Sequence, residues 1–594
     1  MNPPFFKRLF SWRVMRRCIF VLACLATLIG LFYAEENWRG KRAWEKCRRE
    51  LEARGEVLDW NAYIPPTVPD EQNIFKAPKM TEWFVKSSFA TAFSGVGTNA
   101  AKAEDPFALA WSRNTRNGPG PLAVVDVMPH GAQPPAGKAG GVWAYEDPAS
   151  HGQAAKLLDD HIGLRLDSAR VGIIVAKPVD TNHPLHLVLL ADATPTVAGL
   201  TTFLSVTSGS TNQPGASGRG YLQVGPPRNN SFKVSLLADS FSAQDYLKAS
   251  EPAVPNLDLV RKAVERPYAR IEGDYERPFE RPIPDFVRMR TVAQMLAQRA
   301  QCYLLLGQPE AAWHELAMVR QICRMYEAKP ESGCPLLVEA MIDVAISGLY
   351  TGIVQDGLRL HAWREPELVA LQEQLSQLNL LPLYVPSLRA ERAAACRTFE
   401  TTAPAEICRW FDLRGRKPNL WERLGNPVYL LLRFAPHGWV YLNMCTGRPG
   451  EGLTLNAFDV ANNRISPAMI DQGGKDIEKA FHHWSPFSVL AAVTIPNISK
   501  ATQTMARAQT LANEAYIACG LERYRLAKGQ YPENLEALVP QFAEKLPHDI
   551  IGGGPLHYHR TDNGRFVLYS VGWNDKDDGG VAGKAIGEGD WVWE

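Results

Sequence analysis

The first pattern along the chain is unbroken hydrophobicity. Residues 18–34 (CIFVLACLATLIGLFYA) carry no charge, and at 1.5 Å per residue they make about 26 Å of helix, the short end of what crosses a bilayer. A cleavable signal would need small residues before its cut, whereas Phe32 stands at the −3 position ahead of Ala34. The reading is therefore an uncleaved transmembrane anchor. Trp44, Cys47 and Leu51 then recur at helical spacing, with Glu45–Arg49 and Glu50–Arg54 at i,i+4 and Gly55 placed to end the helix. This juxtamembrane helix over 35–60 reads as a solvated spacer or a dimerising stalk.

Periodicity is lost over 61–120, where Pro, Gly, Asn and Ser clusters separate isolated aromatics, so an extended or loop segment is expected. Over 121–250 short β-branched runs bounded by Gly, Pro and Asn predict strands at 122–128, 171–179, 186–193, 220–224 and 232–237. Helical candidates at 153–161 and 243–249 and a flexible polar loop at 205–219 complete an α+β module.

A 3.6-residue period takes over at 285–400. Helices are expected at 289–306 and 310–326, joined by Gly307-Gln308-Pro309, a stop followed by a restart. Ala300, Tyr303, Gly307 and Ala312 fall at tetratricopeptide-repeat spacing, but no second unit follows at the same period. Further helices are expected at 336–358, 365–378 and 387–398, as a tetratricopeptide-like array or an irregular bundle. In the unassigned stretch 401–484, apolar runs at 428–434 and 439–443 are broken by Arg433, Pro436 and His437, and are expected to pack on the helical block rather than span a membrane.

The last pattern is a long helix over 501–528 with a small-residue face (Met505, Ala508, Ala512, Ala515, Cys519), closed by Gly529. Strands follow at 556–560, 565–571 and 590–594, the last with Trp591 and Trp593 on one face. The whole reads as an α+β multidomain chain.

Charge refines this picture. Lys and Arg number 64 and Asp and Glu 63 in 594 residues, which excludes a strongly basic nucleic-acid binder. The balance is uneven: residues 1–50 carry +7 and the remainder −6. Lys7, Arg8, Arg13, Arg16 and Arg17 precede the apolar run without any acid, so a cytoplasmic tail over 1–17 and an exported bulk are expected.

Gly529-Gln530-Tyr531-Pro532 with Leu535 and Leu538, then Leu546-Pro547-His548-Asp549, Tyr558, and Phe566 through Gly572 before an acidic loop resemble the globular part of type II secretion major pseudopilins. Ala491-Ala492-Val493-Thr494-Ile495-Pro496-Asn497 resembles the end of their membrane helix. The resemblance covers about 485–580. It implies a pilin-like domain over 485–594 in a bacterial envelope protein. The apolar stretch 487–495 is too short to span a bilayer and lies deep in the chain, so a fused, non-polymerising module is expected.

In that family the acidic loop binds calcium. Its counterpart here is Asn574-Asp575-Lys576-Asp577-Asp578-Gly579-Gly580. Three carboxylates so close repel unless hydrated or bridged by a cation, so Asp575, Asp577 and Asp578 are candidate ligands of a structural calcium ion, and a hydrated turn is the alternative. His557 and His559 share a strand face, which suits a transition metal or an exposed edge strand. No CxxC occurs. Cys323 and Cys334 are the best local disulfide pair, and buried thiols are the default elsewhere. Nucleophile-elbow, zincin, P-loop and kinase motifs are missing from the sequence.

The expected function is a non-enzymatic scaffold in the bacterial inner membrane, single-pass with its amino terminus inside, which contacts protein partners in the envelope. The alternatives are an extracytoplasmic hydrolase with its site between the α+β module and the helical block, and a component or relic of a secretion or pilus-like apparatus.

Overall fold

The computed structural model describes residues 12–86, 250–325, 336–404, 434–445, 455–481, 498–561, 564–583 and 585–593, a few neighbours of these, and strand backbones within 122–237. The basic residues before Trp12, the apolar stretch 489–497, the predicted helix at 153–161, and Cys334 and Cys408 lie outside the described residues.

Helix α1 (Trp12–Glu52) contains both the apolar run and the juxtamembrane stripe in one continuous rod. Gly55, at a φ of 84°, accepts the left-handed turn that ends it. The chain then wraps the body, as its broken pattern suggests. It is pinned by 3₁₀ turns at Trp60–Tyr63, Asp70–Gln72 and Ile74–Lys76 and by the short helix α2 (Met80–Phe84). Aromatic anchors hold it: Trp83, Phe84 and Phe107 form a buried cluster, and the Asn73 side chain donates to the Arg270 carbonyl at 2.8 Å. Strand β1 (Val85–Lys86) closes the wrap.

Within 122–237 the backbone forms two sheets. β2 (Leu122–Ala123), β5 (Gly163–Asp167), β6 (Arg170–Ile174), β9 (Tyr221–Val224) and β10 (Val234–Leu237) make an antiparallel sheet in the order β10-β9-β6-β5-β2. β3 (Asp126–Met128), β4 (Val142–Glu146), β7 (Leu185–Ala191) and β8 (Thr202–Val206) make the other, with only β3 and β4 parallel. No strand is expected at β4, β5 or β8: β5 has no β-branched residue and β4 only Val142, whereas β8, with Thr202 and Val206, runs into the polar stretch 205–219 that reads as a loop.

The helical block follows. It comprises α3 (Val254–Val264), α4 (Phe286–Leu305), α5 (Pro309–Arg324), α6 (Leu337–Arg359), α7 (Glu365–Ser376) and α8 (Leu381–Thr401); β11 (Ile283–Pro284), just before α4, pairs antiparallel with β1. Asp285 caps α4 by accepting the Arg288 N–H at 3.2 Å. The α4–α5 hairpin turns at Gly307, φ 69°, with Pro309 opening α5 and with Ala300 and Ala312 wholly buried. α6 packs against α4, α5 and α8 together, as the central rod of a bundle. It is long and apolar enough to cross a membrane, but it lies mostly inside the protein and buries Asp343, Ser347, Thr351 and Asp356 along its length. Buried charge here is paired: Arg299 with Glu315 at 2.7 Å and Arg281 with Glu339 at 2.9 Å.

Helix α9 (His437–Cys445) lies chiefly along α1 and also touches α8 of the helical block, while Leu455, Ala457, Ile465 and Ile470 of the same stretch join the block's core. Strands β12 (Phe458–Asp459) and β13 (Arg464–Ile465) then lead into α10 (Pro467–Phe481).

Helix α11 (Ile498–Lys528) carries the small-residue face, and Met505, Ala508, Ala512, Ala515 and Cys519 are all buried. It lies between α6 and α7 on one side and the antiparallel sheet β14 (His557–Arg560), β15 (Phe566–Ser570), β16 (Trp591–Trp593) on the other. Small side chains allow this double approach: a Cβ added to Gly520 would stand 3.1 Å from both Gln372 and the Phe542 carbonyl. Gln509 ties the units together, accepting the Leu380 N–H at 2.7 Å and donating to the Leu378 carbonyl at 3.1 Å. One hydrophobic core runs from Ile74 through both helical layers to Trp593.

Candidate functional site

Helix α1 meets the body at a junction built on two glycines. A Cβ added to Gly40 would fall 2.0 Å from the Gly438 carbonyl oxygen, and one added to Gly438 would fall 1.9 Å from that of Glu36. Only residues without a side chain let the two backbones cross so closely. Polar groups fix the crossing: the Gly438 N–H donates to Asn37 Oδ1 and the Trp439 indole to Glu36 Oε2, both at 2.8 Å. Further along, Trp44, Cys47 and Leu51 are buried with Leu58 and Cys396 against Tyr441, Met444 and Cys445, and the Trp44 indole donates to Glu400 at 2.7 Å. The stripe is thus neither a spacer's solvated face nor a dimer seam. It is covered by α8 and α9 of its own chain. The sequence carried a faint signal for this, a small residue on each of two apolar helices, but nothing in it paired them.

On the other side of that junction α1 is bare. None of its most apolar stretch is buried, and the helix is long and apolar enough to cross a membrane.

In the carboxy-terminal loop, the carboxylates are turned to local partners. Asp577 accepts from Tyr569 Oη at 3.1 Å and the Gly579 N–H at 2.9 Å, and its other oxygen lies 3.4 Å from His557 Nδ1. The Gly579 N–H holds the Asp577 carboxyl below its ordinary range. Asp578 accepts from Asn574 at 2.8 Å, while the buried Asp590 gathers the N–H groups of Asp578 and Gly580. Asp575 is exposed with φ 54°. Among the described residues no three His, Cys, Asp or Glu side chains are grouped to hold a metal ion. His557 stacks on Tyr569 at 4.9 Å, whereas His548 Nε2 lies 3.0 Å from the Asn462 carbonyl, so these imidazoles serve different surfaces. Asp577 and Asp578 are thus engaged within the turn, while Asp575 faces solvent. If Asp575, Asp577 and Asp578 hold a structural calcium ion, millimolar calcium added to chelator-treated protein is expected to raise the melting temperature by several degrees; an unmoved melting temperature would leave a hydrated turn.

The Gly-Gln-Tyr-Pro segment has a definite structural role. Tyr531 donates its hydroxyl to the buried Glu522 at 3.1 Å, and Glu522 also receives Arg525 at 2.7 Å and faces His361 Nδ1 at 3.0 Å. Burial alone would raise the Glu522 carboxyl, but hydrogen bonds from Arg525 and His361 draw it down to about 2. Asp549 likewise accepts the N–H groups of Ile551 and Val571, fixing the turn before β14 to the end of β15.

Other titratable groups lie in the interior. Burial and the Glu327 carboxylate push Asp343 up to about 8, against the pull of Arg320. Burial and Asp343 raise the Cys323 thiol, which sits 3.6 Å from Ser347 Oγ. A thiol held protonated is a poor nucleophile, so Cys323 is a packing residue here. Burial and Asp549 raise Glu514. None of these groups lines the surface cleft of about 200 Å³ between Glu276–Glu280 and the end of α8, which is walled by Arg277, Phe279, Arg397, Thr398 and Thr401. Arg277 pairs there with Glu280 at 3.0 Å and Arg397 with Glu276, and Glu406 also lines the cleft.

No protein-family model, curated protein or solved structure matches this chain.

Proposed function

We propose that this chain is a single-pass, membrane-anchored scaffold of the bacterial envelope, its amino terminus in the cytoplasm and its folded body outside, where it contacts other proteins. The observation that carries this reading is α1: a bare apolar rod continuous with a helix clamped to the body by a glycine crossing. The basic amino-terminal flank supports the orientation. Interior acids kept away from the surface cleft support binding over catalysis.

A second reading is favoured by α11 packed on the β14-β15-β16 sheet, a long helix on a small antiparallel sheet as in the pseudopilins that the sequence resembles. Because α6 and α7 cover α11, the module is better suited to a fixed place in a secretion or pilus-like apparatus than to a growing filament.

Protease added to intact spheroplasts tests the topology. Residues beyond the junction are expected to be digested from outside, leaving a small membrane-bound amino-terminal fragment. Full protection until lysis would invert the orientation and overturn the proposal.

A further inference from the structure

The apolar surface of α1 does not end with the helix. Phe32 and Tyr33 close the uncharged run. Beside them stand Phe434, Trp439 and Phe487, supplied by far later parts of the chain. Tyr33 donates its hydroxyl to the Phe434 carbonyl. The Phe32 and Trp439 rings meet edge-on at 6.3 Å, and Trp439 and Phe487 at 5.4 Å. Phe434 is 64% exposed and Phe32 46%. Charges begin immediately beyond, at Glu35, Glu36, Arg39, Lys41 and Arg42, and the Arg39 guanidinium lies over the Phe487 ring at 5.3 Å.

A bilayer-length apolar helix, then aromatic rings, then charge reproduces the order of environments from hydrocarbon through headgroups to water. On a bare anchor those rings would belong to the helix alone. Here they continue onto α9 and the segment before α11. The glycine crossing sets their depth, because Gly438 contacts the turn of α1 just past Tyr33.

We infer that Phe434, Trp439 and Phe487, with Phe32 and Tyr33, form a collar that rests in the headgroup layer of the phospholipid bilayer, so that the body is seated on the membrane surface. The inference rests on the reading of α1 as a membrane span. Lipid is the occupant because the collar is continuous with the exposed lipid-length face of α1, where Leu28 and Leu31 are 64% and 62% exposed.

The test uses the full chain in bacterial membranes whose lipids carry alkyne-tagged acyl chains. A photoreactive benzoylphenylalanine replaces Leu22, Phe434 or Val581 in turn, each an exposed apolar residue, the last on the carboxy-terminal loop. After illumination, Phe434→benzoylphenylalanine is expected to give lipid adduct close to that of the Leu22 variant and about tenfold above that of the Val581 variant. Strong labelling at 22 with background labelling at 434 would overturn the collar and leave the anchor intact. Background labelling at 22 would remove the membrane span itself, and the collar with it. Equal labelling at 434 and 581 would show unspecific contact and also overturn the collar.

Discussion

Gly438→Val is expected to separate α9 from α1 and to lower the melting temperature of the detergent-solubilised protein. A Cβ at 438 would meet the Glu36 carbonyl oxygen at 1.9 Å and carbon at 2.6 Å. These are backbone atoms, so no rotamer change relieves the clash, and the helices must move apart. Separation would remove the 2.8 Å bonds from Gly438 N–H to Asn37 and from Trp439 to Glu36. It would also loosen the packing around Trp44, Cys47 and Leu51. Overpacking of this kind costs about 1–3 kcal/mol and each lost hydrogen bond about 1 kcal/mol, for a local loss of about 3–5 kcal/mol. Hydrogen exchange supplies the local readout: amides of 437–445 should lose protection, while those of α4 and α5 keep theirs. Gly348→Ala is the control, because a Cβ there meets nothing within 4 Å, and alanine favours helix by about 1 kcal/mol. Unchanged protection of α9 in the Gly438 variant would show that the two helices do not cross as described.

Asp343→Asn is expected to stabilise the protein at neutral pH. The folded state holds this carboxyl at about 8, whereas its ordinary value is 3.8. Below pH 3.8 both folded and unfolded chains keep the proton, and the residue adds no pH dependence. As pH rises from there, the unfolded chain releases the proton and the folded one retains it. Stability is therefore lost at about 1.4 kcal/mol per pH unit until the folded carboxyl also ionises, near pH 8. At pH 7 the accumulated penalty is about 4 kcal/mol, which an asparagine of the same shape does not incur. Denaturant unfolding followed by tryptophan fluorescence should show the variant and the parent equal near pH 3.5, and the variant clearly more stable at pH 7. A difference independent of pH would mean that Asp343 is ionised in the folded protein. The wild type keeps a costly buried acid on the helix around which the bundle is built, where Arg320, Glu327 and Cys323 face it.

Much of the local structure was legible because local rules decide it. Gly307 with Pro309, Gly529, and the alternation that buries Trp591 and Trp593 each depend on a few adjacent residues. Helices α4 to α7 and α11 emerge within a few residues of their expected ends, since their apolar faces repeat every turn, whereas α8 begins six residues before its expected start and α3 carries no expected helix. The strands β4 and β5 hold one β-branched residue between them, and β8 overlaps the polar stretch 205–219, so local composition does not mark them. The acidic loop was singled out for its charge density, yet its hydrogen bonds come from Tyr569, Asn574 and Gly579, and the carboxylate that gathers its N–H groups is Asp590, partners that spacing alone does not choose.

The linear chain by itself determined where an apolar rod lies, which flank of it is basic, which stretches coil and which faces seek burial. Those follow from hydropathy, charge and propensity acting over a turn or two. Only the tertiary structure decided what each face is buried against: that the stripe of α1 is covered by α8 and α9, that Gly40 meets Gly438, and that α11 shares one core with the helical block. The reason is that hydrophobic burial has no direction of its own. An apolar face specifies that it must be covered, and only close packing between distant segments specifies by what.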